Sequence, residues 1–118
     1  MARLKVTVMF GSGARIGPGK VKLLECVRDT GSISAAAREM GMSYKRAWLL
    51  IDSMNLAFKE PVVSAATGGR RGGGAQLTRF GLKALARYRR MEAAAELALR
   101  ADMRALEAAA RPDAGPKV

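Results

Sequence analysis

A chain of 118 residues is one domain's worth, and its 49% hydrophobic composition is enough to bury a modest core. Against 10 Asp and Glu stand 21 Lys and Arg, and the resulting charge of +11 points to a polyanionic partner, most often nucleic acid, or to an anionic membrane surface. One cysteine and no histidine exclude a disulfide framework and argue against a zinc site or histidine-based acid–base catalysis, so no catalytic residue, metal ligand or cofactor is assigned.

The N-terminal "LKVTVMF" alternates Leu4, Val6, Val8 and Phe10 on one side with Lys5, Thr7 and Met9 on the other, the period-2 pattern of a half-buried strand over residues 4–10. Neither this interrupted run nor any later one approaches the roughly 20 apolar residues of a membrane span, so a soluble, cytoplasmic, bacterial protein is expected. "GSGARIGPGK" lies between strand and helix as a phosphate loop would. Its spacing fails the Walker pattern, because Ala14 stands at the first glycine and Val21 where the hydroxyl should be. The dinucleotide fingerprint fails too, with Ile16 in place of its third glycine. A connector whose Pro18 starts a helix is expected instead. That helix carries Val21, Leu23, Leu24, Cys26 and Val27 on its apolar face and ends at Gly31.

In "GSISAAAREMGMSYKRAWLLIDSMN", Ser32 can cap a short helix through Met40, Gly41 supplies a turn, and Ser43 can cap a second helix to about Phe58. Small Ala36 and Ala37 allow close approach, while Met40, Met42, Ala47, Leu50, Ile51 and Met54 fall where two crossed helices bury side chains. Ser43, Tyr44, Lys45 and Arg46 then occupy the first turn of the second helix, where a major-groove reader meets base edges and phosphates. The alternative is an ordinary helical hairpin with a solvated basic face.

"PVVSAA" and "AQL" are strand candidates on either side of "TGGRRGGG", which makes a hairpin. A nucleotide cradle belongs at a strand-to-helix turn. This glycine loop sits between two strands directly after a helix-turn-helix, the place of a wing, and Arg70 and Arg71 can meet phosphates or enter a minor groove. A hairpin tip with no ligand is the alternative. Between Pro61 and Met91 come Arg70, Arg71, Arg79, Lys83, Arg87, Arg89 and Arg90 with no acidic residue, which places the DNA-facing charge in the wing and the start of the last helix.

The tail begins with Thr78 as a cap and runs without a breaker to about Arg111, before Pro112. Tyr88, Met91, Ala95, Leu99, Met103 and Leu106 form a thin apolar stripe longer than a small winged domain could cover, which calls for a partner helix. A solvated alanine-rich helix is the alternative. The fold expected is mainly α with a small β-hairpin: a winged helix-turn-helix over residues 1–78 (helix-turn-helix 32–58, wing 61–78), a long dimerisation helix over 79–111 and a disordered tail over 112–118.

"GSIS", "SYKRAW" followed by "MN", and "ATGGRRGGGAQLTRFG" together resemble the N-terminal DNA-binding domain of the ModE-type molybdate-responsive transcriptional regulators, relatives of the LysR-type winged helix-turn-helix proteins. The resemblance covers roughly residues 18–92. It implies a homodimer that reads a palindromic operator in double-stranded DNA and regulates genes of molybdate transport or molybdoenzymes. Carried over by position, DNA contacts fall on Ser43, Tyr44, Lys45 and Arg46 and on Thr67, Gly68, Gly69, Arg70, Arg71 and Gly72. The family's molybdate-binding β-barrels have no counterpart here, so sensing falls to a separate protein, control runs through abundance, or the ligand has been dropped. A natural short form is expected rather than a truncated one, because the chain opens with Met1. An architectural DNA-binding protein of low sequence specificity is the rival reading.

Overall fold

A computed structural model of the chain describes residues 1–66, 74–113 and 115. The N-terminal run pairs as a strand only at β1, Val8–Met9, although the alternation of half-buried and exposed side chains extends from Leu4 to Phe10 as its pattern demands. The connector is itself a returning strand. Gly13 takes φ 94°, the Phe10 amide reaches the Ala14 carbonyl at 2.8 Å, and β2, Arg15–Ile16, lies antiparallel to β1 with Val8 opposite Ile16. Ile16 enters the core, which supplies the tertiary reason for a strand too short to be seen from periodicity.

Helix α1, Pro18–Thr30, has proline in its first turn and ends on Gly31 at φ 72°, a left-handed cap that costs a glycine little. Val21, Leu23, Leu24 and Val27 are fully buried. Cys26 joins them, and burial pushes its thiol pKa up, so it stays protonated. Helix α2, Ile33–Met40, is capped by the Ser32 hydroxyl, which accepts the Ala35 amide at 3.1 Å. Helix α3, Tyr44–Ala57, follows a turn at Gly41, whose φ of 67° again uses glycine's freedom. Ala36, Ala37 and Ala47 are buried where α2 and α3 cross, with Ile51 and Met54 below them; Met40, Met42 and Leu50 are half-buried at the edge.

Strands β3, Val63–Ala66, and β4, Gly74–Leu77, form the second antiparallel hairpin, with Val63 opposite Leu77 and Ala66 opposite Gly74. The hairpin is stitched to the end of α1 through the loop-side end of β4. The Ala75 amide donates to the Gly31 carbonyl at 2.9 Å, and a Cβ on Gly74 would come within 3.2 Å of that same oxygen.

Helix α4, Arg79–Ala109, starts at Thr78, whose hydroxyl accepts the Gly81 amide at 2.9 Å and donates to the Pro61 carbonyl at 2.7 Å. Its 31 residues make a rod about 45 Å long in a molecule 54 Å in its longest dimension. Its buried residues, Gly81, Leu85 and Tyr88, all belong to its first ten positions. Phe10, Phe58 and Phe80 stack edge to face with centroids 5.3 Å apart, joining the N-terminal strand and the end of α3 to the start of α4. The architecture is mainly helical, a winged helix-turn-helix continued by a long C-terminal helix. Among the described residues, no helix is long and apolar enough to cross a membrane.

Candidate nucleic-acid interface

The turn between α2 and α3 closes with the Gly41 amide on the Arg38 carbonyl and the Met42 amide on the Ala37 carbonyl, at 3.1 and 3.0 Å. α3 therefore leaves the turn at a set angle. Ser43 caps it, accepting the Arg46 amide at 3.1 Å, so its hydroxyl is committed to holding the helix start. Tyr44, Lys45 and Arg46 follow in the first turn, all exposed, with no acidic residue among them. Further along the same outer surface stand Trp48 and Leu49, 46% and 51% exposed, which sequence reasoning left out of the site. Large apolar side chains on an outward helix face suit contact with a thymine methyl group.

One side chain of α3 ties the wing to that helix by hydrogen bonds. Asn55 accepts the Val62 amide at 2.8 Å and the Val63 amide at 3.2 Å through Oδ1, while its Nδ2 donates to the Val63 carbonyl at 3.2 Å. These bonds account for the "MN" pair: Met54 faces the core and Asn55 braces the hairpin. Asn55→Ala is expected to strip partners from three half-buried backbone groups and to cost about 1–3 kcal/mol in urea unfolding. An unchanged midpoint would mean that water replaces the amide. The predicted wing contacts Thr67, Gly68, Gly69, Arg70, Arg71 and Gly72 lie outside the described residues.

The structure separates the basic residues of the last helix. Arg89 is engaged in ion pairs at a half-buried position: its Nε donates to Glu25 of α1 at 3.1 Å, its Nη2 donates to the same carboxylate, and its Nη1 donates to Glu92 at 2.7 Å. Hydrogen bonds to Glu25 and then Glu92 drive its pKa further up. Arg89 is thus a clamp between α4 and α1, neutralised locally rather than part of a DNA-facing stripe. Arg79, Lys83, Arg87 and Arg90 are exposed.

The apolar stripe on α4 also divides. Tyr88 is 3% exposed within the single chain and its hydroxyl donates to the Val6 carbonyl, so it belongs to the chain's own core; burial raises its pKa. Met103 is half-buried and lines a cleft with Met1, Ala2 and Arg3, because the N-terminal segment runs back along the rod, its amino group 3.5 Å from Glu107. Met91, Leu99 and Leu106 are exposed and Ala95 is half-exposed.

Residues 19–82 match the family described as "Bacterial regulatory helix-turn-helix protein, lysR family". The chain belongs to that family. Among its relatives, it is 52% identical over 86 residues to the molybdenum-pterin-binding protein MopB of Rhodobacter capsulatus, covering 73% of this chain and 32% of MopB. Over 80 residues it is 44% identical to the molybdenum transport protein ModE of Azotobacter vinelandii, covering 68% of this chain and 30% of that one. Over 87 residues it is 38% identical to the DNA-binding transcriptional dual regulator ModE of Escherichia coli K12, covering 74% and 33%. The chain spans about one third of the length of these curated relatives. The crystal structure of the CbnR_DBD-DNA complex superposes with a TM-score of 0.56 at 23% identity, covering 77% of this chain and 95% of that one, which shows a shared fold. In this lysR-family chain the matched segment ends at Leu82, so most of α4 lies beyond it, as does the whole β1–β2 hairpin before residue 19.

Proposed function

We propose that this chain is a sequence-specific transcriptional regulator of molybdate-transport or molybdoenzyme genes, acting in the cytoplasm by binding DNA rather than by catalysis. The observation that carries it is the first turn of α3, where a capped helix start presents Tyr44, Lys45 and Arg46 to solvent beside a wing braced by Asn55. Relatives named for molybdenum and for transcriptional regulation supply the gene class. In this reading Ser43 sets the start of the reading helix, Tyr44, Lys45 and Arg46 meet the major groove, and Thr67–Gly72 meet flanking DNA. The DNA-binding unit takes in residues 1–78 and the first turns of α4, held to it by Tyr88 and Arg89. The remainder of α4 pairs with a second copy, so that two recognition helices address a palindromic operator. The charge of +11 also fits an architectural protein that coats DNA with little sequence preference.

Fluorescence anisotropy separates the two readings. A palindromic duplex from upstream of the organism's own molybdate-transport genes is compared with a scrambled duplex across salt, with and without molybdate. Preference for the palindrome supports the regulator, and Lys45→Ala with Arg46→Ala is expected to relax base choice. Equal affinity for both duplexes, lowered alike by those changes, supports the architectural protein. Replacing Arg70 and Arg71 with alanine is expected to lower the salt slope by up to about two, one for each arginine that neutralises a phosphate. A slope identical to that of the unaltered protein would take the wing off the DNA backbone.

A further inference from the structure

On one side of α3 lies the wing: Trp48, Asp52 and Asn55 share a cleft with Ser64, Ala65 and Gly74. On the other side lies the β1–β2 hairpin, since β2 packs directly against α3. There, Arg15 of β2, Lys20 in the first turn of α1 and Arg46 of α3 line one open cleft of about 440 Å3 together with Met42 and Leu50. Arg15, Lys20 and Arg46 all line it and no carboxylate does. Among the described residues none of the three forms an ion pair. The Lys20 ammonium instead donates to the Arg15 carbonyl at 2.9 Å, which holds the lysine stem against the hairpin. Gly17 fixes the approach of hairpin to helix, because a Cβ there would lie 2.9 Å from the Thr7 hydroxyl oxygen.

Like charges placed together without a counter-charge raise the free energy of the isolated protein, and an anion drawn between them lowers it. Arg46 already belongs to the first turn of the recognition helix, so an anion reaching this cleft continues the path of whatever α3 touches. We propose that Arg15 and Lys20 form a second backbone clamp, which takes DNA phosphates on the side of the recognition helix opposite the wing. The inference rests on the DNA-binding reading above. It extends the footprint to a hairpin lying before the segment matched to the lysR family, and gives a role to the glycine-rich stretch that fits no nucleotide motif.

The test is the salt dependence of duplex binding by the full chain, measured on the palindrome and on the scrambled duplex. Arg15→Gln with Lys20→Gln keeps polar stems at an exposed and a half-buried position while removing both charges. The variant is expected to bind both duplexes more weakly, with a salt slope lower by up to about two and an unchanged preference between them. Between 50 and 200 mM salt, the unaltered protein then loses about tenfold more affinity than the variant. The charge-conserving pair Arg15→Lys and Lys20→Arg is expected to keep the slope, which a merely structural role for these side chains would not require. If the unaltered protein binds the duplex and the glutamine variant keeps the full slope, the clamp is overturned while the DNA-binding reading stands. No binding by the unaltered protein overturns both. Saturable binding of inorganic phosphate that the glutamine variant loses, with an unchanged duplex slope, would make the cleft a site for free oxyanions and would also overturn the clamp.

Discussion

Gly81→Ala is expected to destabilise the protein by at least about 2 kcal/mol, although alanine is the better helix former by up to about 1 kcal/mol. Gly81 lies at the third position of α4, buried where the helix passes the entry to the wing. A Cβ there would overlap the Val62 carbonyl oxygen and stand 2.9 Å from its carbon and 3.1 Å from Val62 Cα. These are backbone atoms, which cannot swing aside as a flexible side chain can. The same carbonyl accepts the Thr78 amide at 3.0 Å, and Val62 itself is fully buried. Relief must therefore come from moving β3 away from α4, at the cost of that hydrogen bond and of core packing. Gly19→Ala supplies the control: nothing lies within 4 Å of a Cβ at Gly19, so there the helical gain should appear uncancelled. Urea denaturation of both variants reads the difference directly. Equal midpoints for Gly81→Ala and the unaltered chain would show that the start of α4 shifts freely against the wing.

Leu99→Glu is expected to abolish self-association and to weaken operator binding by roughly 10²–10⁴-fold, the gain that linking two half-site contacts ordinarily provides. The side chain is 40% exposed at the middle of the open stripe, between Ala95 and Leu106. Across a two-fold axis one substitution appears twice, so each glutamate enters an apolar seam near its own copy. Sedimentation equilibrium should give a monomer, with thermal unfolding of the winged domain little changed because Leu99 is no part of the buried core. A dimer of undiminished strength would remove the stripe from the interface.

The parts of the fold that the sequence made legible are those governed by local chemistry. Ser32, Ser43 and Thr78 each cap the helix that follows them, and Gly31 and Gly41 each end one in the left-handed region, because capping acts within three or four residues. The exposed first turn of α3 was legible for the same reason. What stayed hidden depends on partners distant in the chain. Tyr88 finds Val6, 82 positions away, and Arg89 finds Glu25, 64 positions away. A periodic stripe marks an apolar face without saying which neighbour covers it, so one line of residues on α4 contains both core and open surface. Strand β2 was invisible because two residues carry no periodicity, and it exists through the burial of Ile16. Arg15 and Lys20 were hidden with it, in a stretch whose spacing was informative only about nucleotide motifs.

The clamp of Arg89 on Glu25 and Glu92 makes α4 an angular gauge. It ties the first turns of the rod to α1, whose far end at Gly31 is in turn bonded to β4 of the wing. The azimuth of α3, whose Asn55 holds the same hairpin, is thereby fixed relative to the rod, each residue of which advances about 1.5 Å and turns about 100°. In a pair of such rods, the number of residues between Glu92 and the point of crossing sets both the distance and the rotational phase between the two reading heads. In the homodimer proposed above, one residue added to α4 enters both rods and turns both heads, so the spacing that the pair addresses changes with helix length.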